Sequence, residues 1–454
     1  MASNGKKENI LTSWKEIAAY LDRDVRTCVR WEQRYGLPVH RLERDSKAKV
    51  FAYKEQIDEW LTQRSALASN PSPACRVPNR RWFRPFPILF ALAGLAAAAY
   101  FLFIRPGGGA GAGVPADFRL SGSELIVVDG RGRDLWRFDT GLPDLAQDEV
   151  YRPRSKRKAG GDDYVPVWPY LLIRDINGDN RPEVLFSTQT TSEYGEGTLF
   201  CFDEHGTVLW RFEAGRALVF GGQPYRQEYR IFGFDVDDYD GDGAPEILVI
   251  AHHMPDWPCQ VALLDAAGKT EGEYWNAGYL MDASTGDVDG DGTNELVLSG
   301  VNNEYRRGCV AIFEAGGLRG GSPQLEGSFR SPDIGQGGQA AYILFPKTEV
   351  HAALVQEGDP VNHFWIHKGD GLTAMTTNTE VLYDLDRTLA CRSVTLSNTF
   401  RNYHESFSRK GLVLPAPDAD YQNSLKNSLL YYGDGRWNRL PPAAISASAD
   451  APKR

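Results

Sequence analysis

"DVDGDGTNE", residues 287–295, sets four carboxylates within nine positions. Like charges this close repel one another unless a cation stands among them. Nearly the same stretch occurs twice more, as "DINGDNRPE" (175–183) and "DYDGDGAPE" (238–246). Each copy places side-chain oxygens at positions 1, 3, 5 and 9, with glycine at 4 and glycine or asparagine at 6. Hard cations such as calcium take roughly six to eight oxygens, and alternate residues of a tight loop can aim theirs at one centre. The residue at position 6 must accept a left-handed backbone, which glycine does freely and asparagine next best. The candidate ligands are therefore Asp175, Asn177, Asp179 and Glu183; Asp238, Asp240, Asp242 and Glu246; and Asp287, Asp289, Asp291 and Glu295. The position-7 carbonyls of Arg181, Ala244 and Thr293 complete each shell, giving up to three structural Ca2+ sites. Asn177 and Asn180 make the first copy the weakest of the three.

An EF-hand is excluded by spacing, because it needs a glutamate at position 12. That position holds Phe186, Val249 and Leu298. Position 9 is followed instead by "VLF", "ILVI" or "LVL", short β-branched runs that read as strands. The repeat also extends beyond the loops. "ELIVVDGRGRDLWRFDTG" (124–141) and "TLFCFDEHGTVLWRFEAG" (198–215) align without gaps and agree at eight of eighteen positions. Each reads as a strand, a D-x-x-G turn and a second strand ending in "LWRF"; "VALLDAAGKTEGEYWNAG" (261–278) and "VAIFEAGG" (310–317) begin alike. About four strands per ~50 residues is propeller-blade arithmetic. Trp136 and Trp210 then read as packing residues between blades. The nine-residue loop resembles the FG-GAP or VCBS-type repeat, and this resemblance implies an integrin-like β-propeller whose first, third, fifth and ninth side chains bind calcium.

The net charge of −10 hides a division: residues 1–84 carry +7 and the remainder −17. Between them lies "PFPILFALAGLAAAAYFLFI" (85–104), uncharged over a length that spans ~30 Å of hydrocarbon. Arg76, Arg80, Arg81 and Arg84 precede it and only Arg105 closely follows. The positive-inside bias thus places the N-terminus in the cytoplasm. "GGGAGAG" (107–113) reads as a flexible tether. Cys28 and Cys75 would face a reducing compartment. Cys201, Cys259, Cys309 and Cys391 would face an oxidising one, where disulfides are allowed but not required; four cysteines permit three pairings, among which the sequence does not choose.

In the N-terminal segment, Ser13 and Glu16 form a capping box for a helix bearing Trp14, Ile17, Ala18 and Leu21. "VRTCVRWEQRYG" follows after a brief turn, with Gly36 and Pro38 as its stop. "VHRLERDSKAKVFAY" reads as two extended pieces around a basic turn, and "KEQIDEWLTQR" as a third helix. Residues 11–64 resemble the MerR/excisionase-type winged helix-turn-helix of bacterial regulators. That resemblance implies DNA as partner, with a recognition helix in the major groove. Arg26, Thr27, Arg30 and Arg34 are the candidates for base edges, and His40, Arg41, Arg44, Lys47 and Lys49 for phosphates.

The expected fold class is multidomain: a small α+β winged helix (1–68), a basic linker (69–84), a single transmembrane helix (85–104), a Gly-rich linker (105–117), an all-β propeller (118–440), and a disordered tail (441–454). Blade number is left open, the strands being enough for six or so with the first hairpin able to complete the last, and helices are expected over 397–411 and 418–430. The expected function is a membrane-anchored, DNA-binding transcription regulator. It would sit single-pass in a bacterial inner membrane, with a periplasmic or extracellular propeller that senses or docks a protein or carbohydrate; homodimerisation is open. The alternative is a surface-anchored adhesion or scaffold protein whose inner domain binds protein. No phosphate loop, HExxH or GxSxG is present, so no enzyme is expected. His252, His253, His363 and His367 read as ordinary strand or loop histidines.

Overall fold

The computed structural model describes residues 113–154, 167–191, 197–254, 257–354, 358–412, 414–433 and 435–442, with short pieces between 10 and 57. The chain divides into two compact units, 1–104 and 105–454. Expectations for Arg26, Thr27, Arg30, Arg34, Arg44, Lys47, the apolar run 85–104 and the tail beyond 442 lie outside the described residues. Among the described residues no helix is long and apolar enough to cross a membrane.

In the first unit, His40–Leu42 and Lys49–Tyr53 pair antiparallel, and Ile10–Leu11 joins the other edge of the second strand. The Ser13 hydroxyl accepts the Glu16 amide at 3.3 Å, half of the expected capping box. Ile17, Ala52 and Ile57 are fully buried. Arg41 and Lys49 lie on the two paired strands, in the register Arg41 opposite Val50 and Leu42 opposite Lys49.

The second unit is mainly β and propeller-like, with five sheets of three or more strands in chain order beside a two-stranded ribbon of Leu218–Phe220 and Gln223–Tyr225. The first contains Pro115–Ser121, Glu124–Asp129 and Asp134–Asp139. The second contains Leu171–Arg174, Glu183–Ser187, Thr198–Phe202 and Val208–Glu213. The third contains Tyr229–Asp237, Glu246–His253, Cys259–Leu264 and Thr270–Asn276, with Arg319–Gly321 added parallel at its edge. The fourth runs Leu280–Gly286, Glu295–Asn302, Arg307–Phe313 and Ala341–Leu344, and later receives Leu430–Gly433 and Arg436–Asn438. The fifth contains Val361–Ile366, Leu372–Thr376, Val381–Leu385 and Cys391–Leu396.

Strand periodicity explains why the sheets stack. Successive side chains of a strand point to opposite faces. In Glu246–His253, Leu248 and Ile250 enter one core while Ile247, Val249 and Ala251 enter another. Val184 and Phe186 likewise face the first sheet, and Leu185 faces the third. Leu296 and Leu298 join the core shared with the third sheet, whereas Val297 joins the core shared with the fifth. A strand buried on both faces needs no polar alternation, hence the continuous apolar runs after each acidic loop.

Among the described residues the first strands, Pro115–Asp139, pair with one another and not with the last sheet. The all-β unit also begins at Pro115, inside the stretch read as a linker. Helices do form at Asn398–Arg409, capped by Ser397, and at Ala419–Lys426, capped by Asp418. Cys201, Cys259, Cys309 and Cys391 are buried free thiols.

Candidate metal centre

All three acidic loops occupy one place in the fold: the connection between the first and second strands of the second, third and fourth sheets. Their internal hydrogen bonds repeat almost atom for atom. At position 1, Asp175, Asp238 and Asp287 use Oδ1 to accept the amides of Gly178, Gly241 and Gly290 at 2.8, 2.7 and 2.7 Å. At position 3, Oδ1 of Asn177, Asp240 and Asp289 accepts the amide of residue 5 at 2.9, 3.1 and 3.0 Å. At position 5, Oδ1 of Asp179, Asp242 and Asp291 accepts the amides of Arg181, Ala244 and Thr293 at 2.8, 2.7 and 2.7 Å. At position 9, Oε2 of Glu183, Glu246 and Glu295 accepts the amides of Ile176, Tyr239 and Val288 at 3.0, 2.7 and 2.7 Å.

The backbone obeys the residue types. Gly178, Gly241 and Gly290 hold φ of 78°, 79° and 84°, and position 6 holds 65° at Asn180 against 92° at Gly243 and Gly292. Position 2 anchors each loop: Ile176, Tyr239 and Val288 are buried in three successive cores. Nothing in the acidic pattern marks that position, but an apolar residue recurs there in every copy.

At position 1 the second oxygen is also engaged in two copies, Asp175 Oδ2 accepting the Asn180 amide at 2.8 Å and Asp238 Oδ2 the Gly243 amide at 3.1 Å. Asp238, Asp240, Asp242 and Glu246 bring ligand oxygens within 4.8 Å of one another, as do Asp287, Asp289 and Glu295. Asp291 stands outside the latter group, its Oδ1 also held by the Thr293 hydroxyl at 2.6 Å. The first loop supplies no such group among the described residues. The position-9 glutamates are almost wholly buried. Burial, reinforced by the aspartates of the same loop, pushes Glu246 and Glu295 up to about 7. Glu183 is also raised, first by burial. Glu314, just past the third strand of the fourth sheet, is raised by burial and by Asp289 and Asp291, so its charge reaches the third loop. It lies 19 residues beyond Glu295, in "VAIFEAGG" at the place where the other hairpins carry their turn aspartate.

A second kind of turn lies at the same end of the sheets. Asp129, Asp203 and Asp265 open D-x-x-G hairpins in which Oδ1 accepts two amides, at residues i+2 and i+4. Trp136 donates Nε1 to the Glu204 carbonyl at 3.2 Å and Trp210 to the Ala266 carbonyl at 2.9 Å. Each tryptophan of one sheet thus covers the turn of the next. A Cβ at Gly206 or Gly268 would stand 2.6 or 2.5 Å from the indole.

The histidines are structural. His252 is stacked between Phe232 and Tyr279 and bonded to the Leu280 carbonyl at 2.7 Å; burial pushes it down to about 4. His363 faces Asp282 across the fourth and fifth sheets at 3.5 Å, and His367 bonds Thr373. At the opposite end from the loops, an open cleft of about 350 Å³ is lined by Pro224, Tyr225, Arg226, Glu228, His253 and Met254.

No protein-family model matches the chain and no curated protein matches it, so the FG-GAP and MerR-type resemblances rest on the residues quoted above. Among solved structures, the Dos1 propeller is similar at 12% identity and TM-score 0.32, over 61% of this chain and 54% of that one. The chain therefore spans about half of that structure's length. A Bacteroides caccae protein of unknown function is similar at 10% identity and TM-score 0.25, covering 62% and 77%. The V. cholerae biofilm matrix protein Bap1 follows at 16% and 0.20, covering 45% and 34%. The fold assignment rests on the strand pairing and not on these likenesses.

Proposed function

We propose that the chain is a membrane-anchored, DNA-binding transcription regulator whose all-β unit is stiffened by calcium and docks or senses a ligand beyond the membrane. The observation that carries the calcium role is the convergence of Asp238, Asp240, Asp242 and Glu246 around one point, with a buried glutamate that lacks a compensating cation side chain in that group. Such a site costs stability until a divalent ion enters. Calcium would cross-link the loop to the first residue of the second strand, holding the end of the sheet rigid. It would act by binding and orienting, with no part in a reaction.

The DNA-binding role is supported by the N-terminal unit, where Arg41 and Lys49 lie on a strand pair and a Ser13 cap precedes helical residues. The apolar run 85–104 would be the membrane crossing, with the N-terminus in the cytoplasm. The open cleft beside Tyr225 would be where an external protein or carbohydrate docks under this reading.

The test is crosslinking of the intact protein in cells, followed by sequencing of the DNA recovered. Enrichment of discrete promoters supports the regulator. Recovery no better than from a chain lacking residues 1–68 sinks it and favours the adhesion or scaffold reading. Calcium is tested separately, by melting the full chain in EGTA and in millimolar calcium; equal transitions remove the metal role.

A further inference from the structure

Three loops share one hydrogen-bond scheme, and the first departs from the other two at its position-3 side chain. In every copy the position-3 side chain spends Oδ1 on the amide of residue 5, which fixes its other terminal atom. In Asp240 and Asp289 that atom is an oxygen, belonging to a group whose ligand oxygens converge with the glutamate's. In Asn177 it is Nδ2, and it donates to Glu183 Oε1 at 2.9 Å. An N–H group thus faces the glutamate oxygen that the other loops leave to their converging carboxylates, and it satisfies that buried oxygen. Both Glu183 oxygens are then engaged, Oε2 by the Ile176 amide and Oε1 by Asn177. Arg181 of the same loop meanwhile pairs with Glu204 at 2.9 Å, bringing a cation to its rim. Rotating the amide would surrender both bonds and set Asn177 Nδ2 against the Asp179 amide, donor facing donor.

We infer that the chain binds two calcium ions and not three, the first loop being held closed by the Asn177 amide as a metal-free copy of the other two. This inference rests on the calcium reading of the second and third loops, and the residues of the first loop do not fit the ion that the repeat implies.

The experiment is equilibrium dialysis of the full chain in detergent against Ca2+, with bound metal counted per chain for wild type and three variants. Two ions are expected for wild type, and Asp175→Asn leaves two. Asp238→Asn lowers the count to one. Asn177→Asp, which restores the carboxylate, raises it to three. A wild-type count of three, or loss of one ion in Asp175→Asn, overturns the inference while leaving calcium binding intact. Failure of Asn177→Asp to gain an ion overturns the role of the amide. A wild-type count of zero overturns the calcium reading itself and this inference with it. Thermal melting of each variant in EGTA identifies any chain that has failed to fold, and Asn177→Ser then replaces Asn177→Asp: it removes the amide, so weak third-site binding is expected, and its absence counts against the inference.

Discussion

The acidic loop at 238–246 and the turn at 265–268 lie at one end of the third sheet and use the same device in opposite ways. In the turn, a single carboxylate accepts the amides of Ala267 and Lys269 at 2.9 and 2.8 Å, and the polypeptide needs nothing further. In its counterpart on the first sheet, the Arg133 backbone and guanidinium hold Asp129 below the usual carboxylate range. The loop begins with the same move at Asp238 and then adds three more carboxylates, one of them buried. One element is complete as folded; the other holds like charges together, a repulsion that the proposed ion would relieve. Local hydrogen bonding sets the shape in both, and the surplus of charge alone separates a structural turn from a binding site.

The largest effect that would break this comparison is removal of the metal. Each occupied site adds about 2.7 kcal/mol at a hundredfold excess of free ion. Two sites give about 5 kcal/mol, or a fall in melting temperature on the order of 10 °C when EGTA replaces calcium. Differential scanning calorimetry of the full chain reads this directly, and an unchanged transition would place loop and turn in one class.

The turns answer to a different perturbation. Trp136 is buried against the Gly206 turn, so Trp136→Ala removes a large side chain and a hydrogen bond to the Glu204 carbonyl. A loss of about 3–4 kcal/mol is expected, the same in calcium as in EGTA. A loss confined to the calcium-loaded protein would mean that turn and loop are coupled.

A smaller, pH-dependent effect distinguishes the two further. Glu246 and Glu295, pushed up to about 7 by burial and then by neighbouring aspartates, bind a proton more tightly folded than unfolded. Without metal their contribution is fully present below about pH 4.5, the ordinary glutamate value, and is lost as pH rises through 7. Other carboxylates, Asp129 and Asp291 among them, shift the opposite way and are present in both conditions. The measurement is therefore the gap between melting curves in calcium and in EGTA, which should widen from pH 5 to pH 7.5. A constant gap would show that the buried glutamates do not face the ion.

Much of this was legible in sequence because the loops are local. Nine consecutive residues contain the donors, the left-handed positions and the acidic side chains, and strands follow at once. Long-range pairing left no such mark. Ala341–Leu344 pairs with Leu430–Gly433 across the whole of the fifth sheet, and Arg319–Gly321 crosses back to the third. The fifth sheet hides a further copy of the turn, "DRTLA" (386–390), in which Asp386 again accepts two amides. Its left-handed residue is Leu389, at φ 63° and fully buried, so the glycine that betrays the other copies is missing. Packing there outweighs backbone preference, a balance no motif encodes. Asn177 was legible as a weaker ligand, but only its bond to Glu183 turns weakness into closure.

The smallest effect separates position 6 from position 3. Asn180 and Gly243 sit at equivalent points with φ of 65° and 92°, and either residue type tolerates the left-handed region. Asn180→Gly relieves a little backbone strain but enlarges the entropy of the unfolded chain, so a change of about 0.5 kcal/mol or less is expected. Gly243→Asn should cost about 1 kcal/mol or less and leave the calcium-induced shift in melting temperature in place. If Gly243→Asn abolished that shift while Asn177→Asp added nothing, the backbone at position 6 would decide occupancy, and the side chain at position 3 would be a bystander.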